Sequence, residues 1–89
     1  MGGIEKNKKL EILDISENQI EEISGLDGLN IKELYLSNNV LETIKGMTKL
    51  ESLRILDVSV NKISKLSGLI NLISLRSLNF AKNLLKNVR

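Results

Sequence analysis

Three carboxylates and a phenol stand at related places in this chain: Asp14, Glu33, Tyr35 and Asp57. Paired carboxylates are the raw material of acid–base hydrolysis. If short strands carry them on neighbouring rungs, Asp14 and Asp57 lie two rungs apart, roughly 10 Å, near the separation used by inverting glycosidases. That chemistry also needs a pocket that holds one acid protonated and a platform for the sugar. Tyr35 and Phe80 are the only aromatics, and nothing in the pattern builds a cleft around the pair. The repeated serines and lysines suggest a Ser–Lys dyad, but a lysine on a solvated face keeps its proton. The chain has no His and no Cys, which excludes a histidine base, a thiol nucleophile, a disulfide framework and a Cys/His metal site. The expectation is therefore no enzyme, no cofactor and no metal.

What these residues do depends on the elements that hold them, and those elements repeat. Four segments share one register. The first runs Leu10-x-x-Leu13-x-Ile15-x-x-Asn18-x-Ile20-x-x-Ile23, and the second Ile31-x-x-Leu34-x-Leu36-x-x-Asn39-x-Leu41-x-x-Ile44. The third is Leu53-x-x-Leu56-x-Val58-x-x-Asn61-x-Ile63-x-x-Leu66, and the fourth Leu75-x-x-Leu78-x-Phe80-x-x-Asn83-x-Leu85-x-x-Val88. The asparagines are spaced by 21, 22 and 22 residues, and the short interval arises because Asn30 alone separates Leu29 from Ile31. Alternating apolar residues predict a short strand in each unit, apolar side inward. One unit cannot bury that side, so the units must stack.

The pattern L-x-x-L-x-L-x-x-N-x-L resembles the leucine-rich repeat family, in its 22-residue class, and the resemblance runs from Gly3 to Val88. It implies an α/β solenoid: four short parallel strands, with a convex side of loops or short helices. The whole chain, residues 1–89, is expected to be a single domain with a partial convex segment at 3–9 and repeats at about 10–30, 31–52, 53–74 and 75–89. Stretches such as Lys8–Ser16 and Glu33–Asn39 are similar to the nuclear regulatory subunit of protein phosphatase one, the axonemal dynein leucine-rich light chain and the spliceosomal A-prime protein. What the resemblance implies is a protein-binding module, with a regulatory subunit of a protein phosphatase as an alternative.

The asparagines have a structural explanation. Where each strand ends the chain turns sharply, and a carboxamide can both donate to and accept from backbone groups left inside. Asn18, Asn39, Asn61 and Asn83 are expected to form an internal structural column. Gly25, Gly46 and Gly68 suit tight turns on the convex side, and their spacing makes no phosphate loop.

Gly3–Leu10 aligns with the convex half of a unit, with Asn7 where Leu50 stands, and no polar cap is legible at either end. The expectation is a piece, or a small variant, of a longer repeat protein, with self-association through uncapped ends as an alternative. Residues 1–44 carry a net charge of −5 and residues 45–89 one of +7, so head-to-tail contact is electrostatically favourable.

The family resemblance places partners on the concave strand face, where variable residues project. The column before the central leucine is Ile12, Glu33, Ile55, Ser77, and the column after it is Asp14, Tyr35, Asp57, Asn79. Ile12, Tyr35 and Ile55 are apolar or aromatic where the repeat does not require it, and carboxylates surround them. An aromatic anchor with aliphatic neighbours and a polar rim has the anatomy of a protein-binding hot spot. The expected partner is a protein with basic and apolar groups. Nucleic acid is not expected, since the basic residues are diffuse and no aromatic sits among them. A membrane is not expected either, because no apolar run nears the length of a span. The missing cysteines, together with the absence of a secretory signal or glycosylation motif, favour an intracellular setting, cytoplasmic or nuclear.

Overall fold

A computed structural model describes residues 11–26, 29–47, 50–65, 67 and 69–84. Each repeat contributes one strand of three residues: β1 (Ile12–Asp14), β2 (Glu33–Tyr35), β3 (Ile55–Asp57) and β4 (Ser77–Asn79). All neighbours pair in parallel, and the sheet order follows the sequence, β1-β2-β3-β4. Leu13, Leu34, Leu56 and Leu78 are aligned across the four strands. A strand sends successive side chains to opposite faces, so these leucines enter the core while their neighbours project outward.

Beyond each strand the chain makes the same corner. Glu17, Asn38, Val60 and Lys82 all adopt positive φ, between 53° and 59°. Asparagine tolerates this left-handed conformation, whereas β-branched Val60 is held there against its own sterics. The next residue is the repeat asparagine, whose amide ties two rungs together. Asn61 donates Nδ2–H to the Val58 and Ser59 carbonyls of its own rung and to Leu36 of the rung before, and its Oδ1 accepts the Leu41 N–H at 3.0 Å. Asn39 repeats the scheme with Leu36, Ser37, Ile15 and the Ile20 N–H. Asn83 does so with Phe80, Ala81, Val58 and the Ile63 N–H. Asn39 and Asn61 are buried and Asn83 is half-buried. Asn18, read from the sequence as internal, is exposed and donates to Ile15 and Ser16 within its own rung.

The return path carries no α-helix among the described residues. It is built from turns in which an N–H reaches back three residues: Leu29 to Leu26, Met47 to Ile44, Leu50 to Met47, Leu53 to Leu50, Leu72 to Leu69 and Leu75 to Leu72. Among the described residues, Leu69–Asn71 is the one formal 3₁₀ turn. A 3₁₀ turn has three residues per revolution, so apolar residues three apart fall on one side and face the core. Gly46 enters its turn at φ +94°, and a Cβ there would overlap the Ile23 carbonyl oxygen of the preceding rung. The core is aliphatic throughout, centred on Leu26, Ile31, Leu34, Leu36, Leu41, Met47, Leu53, Leu56, Val58 and Ile63, all fully buried. The segment at 3–9, Gly68, and Leu85 and Val88 of the fourth repeat lie outside the described residues.

Candidate functional site

The sheet register places the sequence-derived residues in two parallel columns on the face opposite the core. Ile12, Glu33, Ile55 and Ser77 are aligned, and so are Asp14, Tyr35, Asp57 and Asn79. Ile12 is 56% exposed, a large value for an aliphatic side chain on a strand, while Ile55, Glu33, Tyr35 and Asp57 are half-buried. Asp14, Ser77 and Asn79 are exposed. All eight therefore share one surface.

Hydrogen bonding divides the second column by role. Asp14 Oδ1 accepts the Ser16 N–H at 3.0 Å, Asp57 Oδ1 accepts the Ser59 N–H at 3.0 Å and its hydroxyl at 2.7 Å, and Asn79 Oδ1 accepts the Ala81 N–H at 3.1 Å. These are Asx turns, closing the chain as it leaves the strand. One carboxylate oxygen of each aspartate is thus committed to the fold. The bond from Ser16 holds the Asp14 carboxyl below its ordinary value, because it favours the charged form. The sequence signal was present as Asp-x-Ser at Asp14 and Asp57, but it is easily passed over beside the stronger leucine pattern.

Tyr35 breaks that column. Its hydroxyl donates to Glu33 Oε1 at 2.6 Å, two residues back on the same strand. The bond to Glu33 raises the phenol above its ordinary value of 10.0, and the negative charges of Glu33, Asp14 and Asp57 push the same way. The ring is therefore fixed at its tip and framed by aspartates of the rungs on either side.

A further column, not singled out from the sequence, borders the strands at their N-terminal ends. It consists of Glu11, Lys32, Arg54 and Arg76. Lys32 Nζ lies 3.6 Å from Glu11 Oε2, while Arg54 and Arg76 are exposed. On a different flank, Gln19, Glu21, Val40, Glu42 and Lys62 line an open depression of about 460 Å³ that none of the sequence-derived residues enters. No group of His, Cys, Asp or Glu suited to a metal ion occurs among the described residues. No helix among them is long and apolar enough to cross a membrane.

What these features define is a repeat protein: one parallel strand per unit, an asparagine tie between units, and variable residues gathered on the outer face of the sheet. Residues 29–71 match the family model for two copies of leucine-rich repeats, and residues 9–29 match the model for a leucine-rich repeat. The chain belongs to the leucine-rich repeat family. No curated protein was found to match it. Leucine-rich repeats generally mediate protein–protein interaction and are typically non-catalytic.

Proposed function

We propose that this chain is a non-catalytic interaction module that binds a protein partner on the concave, outer face of its sheet, centred on Tyr35. The observation that supports this most is the register itself. It gathers an anchored aromatic, two aliphatic residues and three carboxylates on a surface whose apolar members contribute nothing to the core. Tyrosine buries a large area at low entropic cost and keeps a polar tip, which suits it to the middle of an interface. The free oxygens of Asp14 and Asp57 favour basic groups on the partner, and Ile12 and Ile55 favour apolar ones. The setting in this reading is intracellular, cytoplasmic or nuclear, and a phosphatase catalytic subunit is one partner of the required kind.

The test is affinity capture with the intact chain, Tyr35→Ala and Asp57→Asn, each first checked for an unchanged thermal midpoint. Asparagine preserves the Asx turn, as Asn79 already does, while removing the charge. Both variants are expected to lose the protein that the parent chain retains. Retention of the same protein by both would refute a docking site on this face. If the captured partner is a phosphatase, addition of the domain is expected to alter its turnover or substrate choice.

A further inference from the structure

The column at the N-terminal ends of the strands carries a basic charge pattern that is largely unpaired among the described residues. Its backbone is tightly set, because one carbonyl per rung accepts two consecutive N–H groups of the next. Glu11 accepts from Lys32 and Glu33, Lys32 from Arg54 and Ile55, and Arg54 from Arg76 and Ser77, at 2.7–3.1 Å. This places Lys32, Arg54 and Arg76 on successive rungs, about 4.8 Å apart at the backbone. Like charges directly opposite each other on neighbouring strands repel. Glu11 relieves Lys32 across a single loose contact, and no ion pair involving Arg54 or Arg76 is present among the described residues. The residues two places earlier in these rungs, Asn30, Ser52 and Ser74, are neutral hydrogen-bonding groups.

We infer that this basic ladder docks an acidic helical segment of a protein partner, laid along the stack. The spacing selects the helix. Residues on one side of an α-helix recur about every 5.4 Å, close enough to the rung interval for long side chains to absorb the difference. An extended segment repeats its same-side residues about every 6.6–6.8 Å, and the mismatch with the ladder grows at each rung. Charge selects against nucleic acid, since a phosphate strand on the ladder would run beside Glu33, Asp14 and Asp57, and Tyr35 already directs its hydroxyl to Glu33. The inference rests on the outer-face reading only in taking the partner to be a protein. On that reading, the helix carries an acidic stripe against the ladder, an apolar stripe against Ile12 and Ile55, and basic groups toward Asp14 and Asp57.

The probe is a labelled helical peptide with Glu at i, i+4, i+7 and i+11, Leu on the adjoining stripe and Lys on the next, titrated by fluorescence anisotropy against the whole chain. Two further probes are the same residues with proline breaking the helix, and a single-stranded RNA oligonucleotide. The helical peptide is expected to bind best and to weaken steeply with added salt. Arg54→Glu and Arg76→Glu are each expected to weaken it roughly tenfold, and the milder Arg54→Gln about threefold. Lys82→Glu, on another exposed column of the last described rung, should change binding less than twofold. Unchanged binding by both arginine variants, equal loss with Lys82→Glu, or tighter binding of the broken peptide or the RNA would each overturn the inference. Loss on Tyr35→Ala alone would reject the ladder and leave the outer-face reading standing. Loss on the arginine variants alone would do the reverse.

Discussion

Leu34 and Leu56, in the second and third rungs, are fully buried, whereas Leu13 in the first retains 9% exposure and Leu78 in the fourth is only half-buried. The next inward position shows a wider spread. Leu36 and Val58 are sealed, Ile15 is half-buried, and Phe80 is 42% exposed. The asparagines follow the same order, with Asn39 and Asn61 buried, Asn83 half-buried and Asn18 exposed. All four rungs carry the same motif, so the motif alone does not make a core. A rung becomes core when another rung lies against each of its sides, as expected for an array whose stability resides in its interfaces.

That contrast is open to direct attack, beginning with the asparagines. Asn61→Ala strands the buried Leu41 N–H, which costs about 1–3 kcal/mol, and removes three further bonds to carbonyls, of which Leu36 keeps its bond from Asn39 and Val58 its bond from Asn83. The urea midpoint is expected to report a loss of about 3 kcal/mol or more. Asn18→Ala, removing only exposed bonds within one rung, is expected to cost under about 1 kcal/mol. Equal losses would erase the distinction between the rungs.

Gly46→Ala comes next. Its cost arises at the return turn, where the second rung presses on the Ile23 carbonyl of the first. A side chain forced into an incompatible backbone conformation destabilises by more than the gain it brings to the unfolded state, here about 2 kcal/mol or more. The corner before each asparagine should move the other way. Val60→Asn relieves a β-branched residue at φ 53° at a position 38% exposed, and the relief is expected to outweigh the lost burial by up to about 1 kcal/mol. Asn38→Val, at the equivalent corner one rung earlier, should remove a similar amount.

How much of this was legible differs by position. The parallel order, the inward leucines and the outward columns follow from period-2 alternation and a fixed repeat length, and the sequence shows both. Burial does not follow, because it depends on neighbouring rungs rather than on residue type, and Asn18, expected inside, is exposed for that reason. The left-handed corner left no trace, since Glu17, Asn38, Val60 and Lys82 share no chemistry. The loop or short helix expected on the convex side resolved into turns of three residues, a spacing written at Met47, Leu50 and Leu53 and at Leu69, Leu72 and Leu75. Of the candidate site, the grouping of residues was visible in the repeat. The Asx role of Asp14 and Asp57 and the bond from Tyr35 to Glu33 required side-chain geometry, as did the pairing of Glu11 with Lys32.

The smallest expected effect belongs to the outer face. Tyr35 is the only tyrosine and the chain has no tryptophan, so its ultraviolet titration reports this surface without interference. Because the folded phenol is raised above 10.0, its bond to Glu33 stabilises the fold below that pH. The contribution disappears as pH rises through the raised value. Tyrosinate should appear at higher pH than in the unfolded chain, and Glu33→Gln should bring the transition back toward the ordinary range. The Asp14 carboxyl works in the opposite sense. Lowered by Ser16, it stabilises the fold above the ordinary carboxylate value of 3.8, a contribution lost as pH falls through the lowered one.

The carboxamide of each rung from the second to the fourth locks the rung before it, by accepting one of its N–H groups and donating to one of its carbonyls. Amide hydrogen exchange of the intact chain measures this most directly. Leu41, whose N–H is held by Asn61 in the buried middle of the stack, should be among the slowest amides, slower than Ile20 and Ile63, whose equivalent bonds are only partly buried. If Leu41 exchanged as fast as Ser16, whose N–H is bonded at the exposed surface, the carboxamide lock would be contradicted.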